Sequence, residues 1–141
     1  MFRINIGIIG SRRRDTPDDY ILVSNKFYKI ADMLDTIVSG GCPKGGDRFA
    51  EILADEHGHE KIIHYPDKSK LDPKLMEKNP RAAYAVINYA RNQLIADDSN
   101  VIIACVAPNR KGGTEDTIKR FLKRMRVTEQ EAIDRGILYL V

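Results

Sequence analysis

Residues 37–49 read IVSGGCPKGGDRF, an apolar run that breaks into glycine and restarts in helix-forming residues. Four of the chain's ten glycines, Gly40, Gly41, Gly45 and Gly46, fall within seven positions there. Glycine costs stability wherever its freedom is not used, because it loses the most conformational entropy on folding. A second pair, Gly112-Gly113, stands in APNRKGGTED at 107–116, and GSRRR at 10–14 begins with Gly10 after the first apolar run. Each segment leads from an apolar run into a helical pattern. The start of a helix carries unpaired N–H groups and a partial positive charge, so a glycine-lined one can hold phosphate. Ser11, Thr114 and Thr117 add hydroxyl donors, and Arg12, Lys44, Arg91 and Arg110 supply positive charge.

The competing reading is a pair of tight strand-to-helix turns. Asp47, Glu115 and Asp116 favour it, since carboxylates in a first helical turn already complement the dipole and repel phosphate. The two readings meet if phosphate rests on the glycine backbone while Asp47 or Glu115 accepts hydrogen bonds from ribose hydroxyls, as an acidic residue does in dinucleotide sites. Other chemistries have less support. Neither loop carries GxxxxGKS or GxxxxGKT, and Gly7-Ile-Ile-Gly10 falls short of GxGxxG. Cys42 and Cys105 lack paired spacing and the three His are scattered, so no zinc site, disulfide framework or metal triad is expected. Cys42 reads as a small, partly buried apolar residue rather than a nucleophile. Arg12 to Arg14 read as an exposed run rather than a phosphate clamp, with Arg12, directly after Ser11, the best placed of the three for ligand contact.

The elements that must position these loops alternate in type. Strands are expected at 3–9, 35–40, 60–66, 100–107 and 136–141. Thr16-Pro17 starts a helix with a capping side chain and proline at the first helical position. That helix runs to about Leu34, with Ile21, Leu22, Phe27, Tyr28, Ile30, Ala31 and Leu34 inward. A second helix spans Asp47 to His57 and is closed by Gly58. Residues 67–80, polar and interrupted by Pro73 and Pro80, read as a surface loop or lid. A helix from about Arg81 to Asp98 follows. If it starts afresh near Ala90, Arg91 and Asn92 face the loops; if it is unbroken, Arg81, Tyr84, Asn88 and Arg91 form one solvated face. A basic amphipathic helix at 114–126, and a further turn or two after Thr128, complete the list. This alternation calls for a single α/β domain over 1–141, a doubly wound, Rossmann-like parallel sheet of about five strands with helices on both faces.

The 141 residues, 43% hydrophobic and 30% charged, have the composition of a folded globular protein rather than a disordered one. The longest apolar run, VIIACVA, is too short to span a bilayer, and nothing resembles a signal peptide, so a reduced cytoplasmic setting is expected. A net charge of +3 tolerates an anionic ligand without demanding nucleic acid.

Three segments in order, GxxGSR, SGGxxxGGDRxAE and ARNQLIADDSNVIIACVAPNRKGGTEDTI, resemble the SLOG superfamily of Rossmann-like proteins. That superfamily includes the LOG phosphoribohydrolases and the DNA-processing protein DprA. The GGDR segment and the RN-plus-GGT pair are most similar to its YspA-type branch. The resemblance covers about residues 5–122. It implies that Gly10-Ser11, Gly40 to Asp47 and Gly112 to Thr114 bind a nucleotide or nucleotide-derived ligand, such as one like ADP-ribose. In LOG enzymes an Arg on the helix before the glycine strand, and a Glu three positions after the Thr of PGGxGT, promote cleavage of an N-glycosidic bond. Arg91 matches the first. Position 117 is Thr where the Glu is required, and Glu115 comes two positions early, about 200° away around a helix. A positioned acid–base group contributes about 10²–10⁴-fold, so the pattern implies binding without turnover, as in a sensor or carrier. Two alternatives stay open. One is a phosphoribohydrolase using Arg91 and Glu115. The other is DprA-like binding of single-stranded DNA, with phosphates on Lys119, Arg120, Lys123, Arg124 and Arg126. A homodimer or higher homo-oligomer is expected by analogy.

Overall fold

A computed structural model describes residues 3–141. The strands are β1 (Asn5–Gly10), β2 (Thr36–Ser39), β3 (Lys61–Ile63), β4 (Val101–Cys105) and β5 (Leu138–Leu140). The helices are α1 (Pro17–Ile30), α2 (Gly46–His57), α3 (Pro73–Lys78), α4 (Pro80–Asp98), α5 (Gly113–Met125) and α6 (Glu129–Asp134). All the strands pair in parallel, in the order β3-β2-β1-β4-β5. Alternate strand residues feed opposite faces. Ile6, Ile8, Ile37 and Ile103 pack on Val23 and Phe27 of α1 and on Phe49 and Leu53 of α2. Ile9, Val38, Ile102 and Ala104 pack on Ile95 of α4, Ile118 and Phe121 of α5, and Ala132 of α6. The fold is thus the doubly wound, Rossmann-like α/β arrangement that the alternation of elements implies.

This topology locates a crevice. From β1 the chain winds outward through β2 to β3, then returns through α3 and α4 to the other side of β1. The loops after β1 and β4 therefore leave on opposite faces and part at their carboxyl ends. Among the described residues, no helix is long and apolar enough to cross a membrane.

Several elements differ from the expectation. The stretch 67–80 is not a loop. It holds a 3-10 turn at Lys68–Lys70 and the helix α3, capped by the side chains of Asp67 and Asp72. Pro73 and Pro80 each stand at a first helical turn behind an Asp or Asn cap, where the missing N–H costs nothing. α4 runs unbroken. α1 stops at Ile30 rather than near Leu34, because the Asp35 carboxylate accepts the Asp32 N–H at 2.9 Å and the Ile4 N–H at 3.0 Å, tying the following turn to the start of β1. Its inward face is Val23, Ser24 and Phe27, flanked by Tyr20 and Ile30, while Ile21, Leu22, Tyr28 and Leu34 are exposed.

Candidate functional site

At the crevice a cleft of about 400 Å³ opens between the β1–α1 loop, the first turns of α2 and α5, and the flank of α4. That is a size typical of small-molecule sites. Gly10, Ser11, Arg12, Asp47, Arg91, Asn92, Gly112, Gly113, Thr114 and Thr117 line it. Gly40, Gly41, Lys44, Gly45, Gly46 and Glu115 are not among its walls.

The two glycine pairs serve different ends. A Cβ on Gly46 would lie 2.1 Å from the backbone carbon of Ile9, and one on Gly45 would lie 2.4 Å from the Ser11 carbonyl oxygen. These residues let α2 approach the end of β1 closely. The Gly45 N–H donates to Asp15 at 2.7 Å, so that backbone donor is already engaged. At the second pair a Cβ on Gly112 would meet nothing within 4 Å, and one on Gly113 only the Asn92 Nδ2 at 4.0 Å. Gly112, at φ 122°, caps α5 without any side-chain hydrogen bond. The first turn of α5 therefore presents bare backbone to the cleft.

The carboxylates beside that turn point elsewhere. Arg110 grips Glu115 through Nε at 2.9 Å and Nη2 at 2.8 Å, and also binds Glu129 at the start of α6. Asp116 accepts from Arg120 Nε at 2.7 Å and Asn92 Nδ2 at 3.0 Å. Neither group lines the cleft, so the repulsion expected from the sequence is directed away from it. Thr117 Oγ1 donates to the Gly113 carbonyl at 3.3 Å and is thus engaged within α5. The three arginines after β1 also divide. Arg13 binds Asn109 Oδ1 at 2.9 Å and the Lys111 carbonyl at 3.1 Å, latching the two loops together. Arg14 pairs with Asp19 at 3.0 Å and holds the carbonyls of Val106 and Val141. Arg12 and Arg13 are exposed, as the sequence suggests, whereas Arg14 is half-buried. Arg12 and Arg13 both line the cleft.

Arg91 and Asn92 face the cleft although α4 is continuous. Arg91 donates to the Gly40 carbonyl and, through Nε, to Asn92 Oδ1 at 3.0 Å. Gly40 lies between Arg91 and Asp47: a Cβ there would stand 2.8 Å from Arg91 Nη1 and 2.9 Å from Asp47 Oδ2. The Asp47 carboxyl also receives the Cys42 N–H at 3.0 Å and approaches Ser39 Oγ at 2.9 Å. Burial raises its pKa above the ordinary 3.8, against the pull of the Cys42 N–H, the Ser39 hydroxyl, the Arg91 charge and the Gly40 N–H. Burial lowers the pKa of Arg91, and Asp47 partly offsets this.

Ile9, Arg13, Cys42, Ala85, Asn88, Tyr89, Ile95 and Lys111 complete the walls, beyond the ligand contacts that the sequence implies. Ala85, Asn88, Tyr89 and Asn92 follow helical spacing on one face of α4. That signal is readable only once the helix is taken as continuous.

No protein-family model matches the chain, and no curated protein matches it. Solved structures share its fold. The molybdenum cofactor binding protein from the phototrophic bacterium Rippkaea orientalis superposes with a TM-score of 0.65 at 19% identity, over 100% of this chain and 90% of that one. A structure of the molybdenum cofactor carrier protein from Chlamydomonas reinhardtii gives 0.59 at 18% identity, over 99% and 90%. A second structure of that carrier gives 0.57 at 16%, over the same shares. At these identities the likeness is one of fold.

Proposed function

We propose that the cleft binds a phosphate-bearing small molecule, a nucleotide-derived or cofactor-like ligand, and holds it without turnover as a sensor or carrier does. The observation that carries this reading is the uncapped, open first turn of α5 at Gly112-Gly113, facing Ser11 and Arg12 across the crevice. Backbone N–H groups and the helix dipole there favour an anion. Arg91 and Lys111 add positive charge to the same walls. The fold neighbours, named for binding or carrying the molybdenum cofactor, support a carried ligand over a transformed one. The resemblance to the SLOG superfamily, with its YspA-type branch, belongs to the same proposal. Phosphoribohydrolase activity is disfavoured by Glu115, which Arg110 holds outside the cleft.

The test is a thermal-shift panel of nucleoside mono- and diphosphates, ADP-ribose, NAD, cyclic nucleotides and the molybdenum cofactor released from a donor enzyme. A true ligand at 100 times its Kd adds about 2.7 kcal/mol, or roughly 2–8 °C for a domain of this size. Gly113→Asp removes that shift, because it places a carboxylate at the bare turn where the surroundings have room for it. A flat panel in the wild type overturns the reading.

A further inference from the structure

We infer that Asp47 sits on the wall of the cleft as a neutral acid, and that its proton leaves the Arg91 charge unopposed, so that anion affinity depends on protonation. This rests on the reading of the cleft as an anion site. The geometry is a matter of counting protons. Ser39 Oγ is fully buried, 2.6 Å from the Ile8 carbonyl oxygen and 2.9 Å from Asp47 Oδ1. A serine hydroxyl has one proton to give. If it goes to an ionised Asp47, two lone pairs meet at the shorter contact with Ile8. If it goes to Ile8, a carboxylate oxygen faces a bare serine oxygen. A proton on Oδ1 satisfies both contacts: Asp47 donates to Ser39, and Ser39 donates to Ile8. The Cys42 N–H on Oδ2 and the Gly40 N–H also reach the carboxyl; both favour ionisation, and burial opposes them.

The charged and titratable groups around Asp47 come from four directions. Arg91 of α4 stands across Gly40 and draws Asp47 toward ionisation. Arg12 of the β1–α1 loop lines the same cleft and acts on Arg91 with like charge. Cys42 lies on the β2–α2 loop and contributes its N–H to the carboxyl. Arg48, next to Asp47 on α2, is turned to Asp15 at 2.8 Å. Burial of the carboxyl opposes the pull of Arg91. With Asp47 neutral, the Arg91 guanidinium donates only to uncharged acceptors, the Gly40 carbonyl and the Asn92 amide. A half-buried cation without an ionic partner is partly desolvated at a cost, and an anion entering the cleft relieves it. Ionised Asp47 would instead neutralise Arg91 and repel the anion. At an effective permittivity of about 20, unit charges sharing one cleft couple by roughly tenfold in affinity.

Sulfate is the probe, since its charge is constant across the range, with binding followed by NMR shifts between about pH 4 and pH 8. Asp47→Asn mimics the neutral acid, its Nδ2 donating to Ser39 and its Oδ1 accepting from Cys42. The expected result is roughly tenfold weaker sulfate binding by the wild type once pH exceeds the Asp47 pKa, with the variant keeping the acid-side affinity throughout. In ligand-free wild type, the ¹³C carboxyl shift of Asp47 should still report the neutral form at a pH where an ordinary carboxylate is already ionised. An ionised carboxyl at that pH overturns the inference, whatever the probe does. A neutral carboxyl with identical sulfate profiles for both proteins overturns the coupling. Absence of sulfate binding at every pH, with the carboxyl neutral, overturns the anion site and the coupling built on it, while the thermal-shift panel separately decides whether another ligand occupies the cleft.

Discussion

Gly46 and Gly113 occupy the same kind of place, the first turn of a helix at one edge of the sheet, but their surroundings differ. A methyl group on Gly46 would overlap the β1 backbone, where nothing can rotate aside. Gly46→Ala is therefore expected to cost about 1–3 kcal/mol, read as a lower urea midpoint at unchanged slope. Gly113→Ala fills open space and should leave the midpoint within about 1 kcal/mol of wild type, on the stabilising side by helix propensity. Equal losses at both sites would contradict the division of roles. Asp47 supplies a second residue-level test. Its folded pKa is raised above the unfolded 3.8, so the native state holds the proton more tightly. The stabilisation this gives is complete below the unfolded pKa and is lost as pH rises through the folded one. Calorimetry of Asp47→Asn and wild type across pH should show the variant gaining Tm relative to wild type as pH rises above about 4. A relative loss would mean that the ionised form is the one stabilised by the fold.

Helix α4 joins the separate parts of the site. Through Arg91 it holds the carbonyl of Gly40 after β2, and through Asn92 it holds Asp116 in α5, which Arg120 also grips. Its continuity follows from Asn79, whose side chain accepts the Ala82 N–H at 3.1 Å ahead of Pro80. The sequence carried that signal in Asn-Pro, as it did in Thr16-Pro17 and Asp72-Pro73. The last of these was masked by the surrounding polar residues. At the other end of α5, Arg126 closes the helix at φ 57° and ψ 44°, a left-handed conformation that costs a side-chain-bearing residue about 1–2 kcal/mol. Arg126 is exposed, so Arg126→Gly should raise stability by about 0.5 kcal/mol, after allowing for the greater freedom of glycine when unfolded. A drop in Tm would show that the arginine side chain contributes an interaction that outweighs its backbone strain.

At the scale of the molecule, the charge is modest and much of it is engaged. Of the basic residues along α5, Arg120 is paired with Asp116, and Arg124 donates to the carbonyls of Ala96 and Ser99 beneath it. Lys119, Lys123 and Arg126 remain as a short basic row. Nucleic-acid binding draws on several phosphate contacts at once, each adding to the salt dependence. Oligonucleotide binding, measured by fluorescence anisotropy, is therefore expected to be weak at low salt and lost by physiological salt. Tight binding with a steep salt slope would return the single-strand reading to favour. The cleft, by contrast, concentrates Arg12, Arg91 and Lys111 around about 400 Å³, a scale suited to one small anion.

The alternation of apolar runs with amphipathic stretches determined the α/β class by itself, because strand and helix periodicities are written along the chain and need no partner to be read. The positions of the three loops at one sheet edge followed, since parallel strands must all end there. Only the tertiary structure decided which loop stands open. Gly45-Gly46 and Gly112-Gly113 look alike in sequence. One is filled by the close approach of α2 to β1, and that distance is set by Phe49 and Leu53 packing into the sheet. The direction of Glu115 was equally invisible, because it depends on Arg110 meeting Glu129, nineteen residues further on. The state of Asp47 rests on Ser39 and Ile8, two neighbouring strands that burial brings within hydrogen-bonding distance. Local pattern fixes the elements; long-range contacts fix the space left between them.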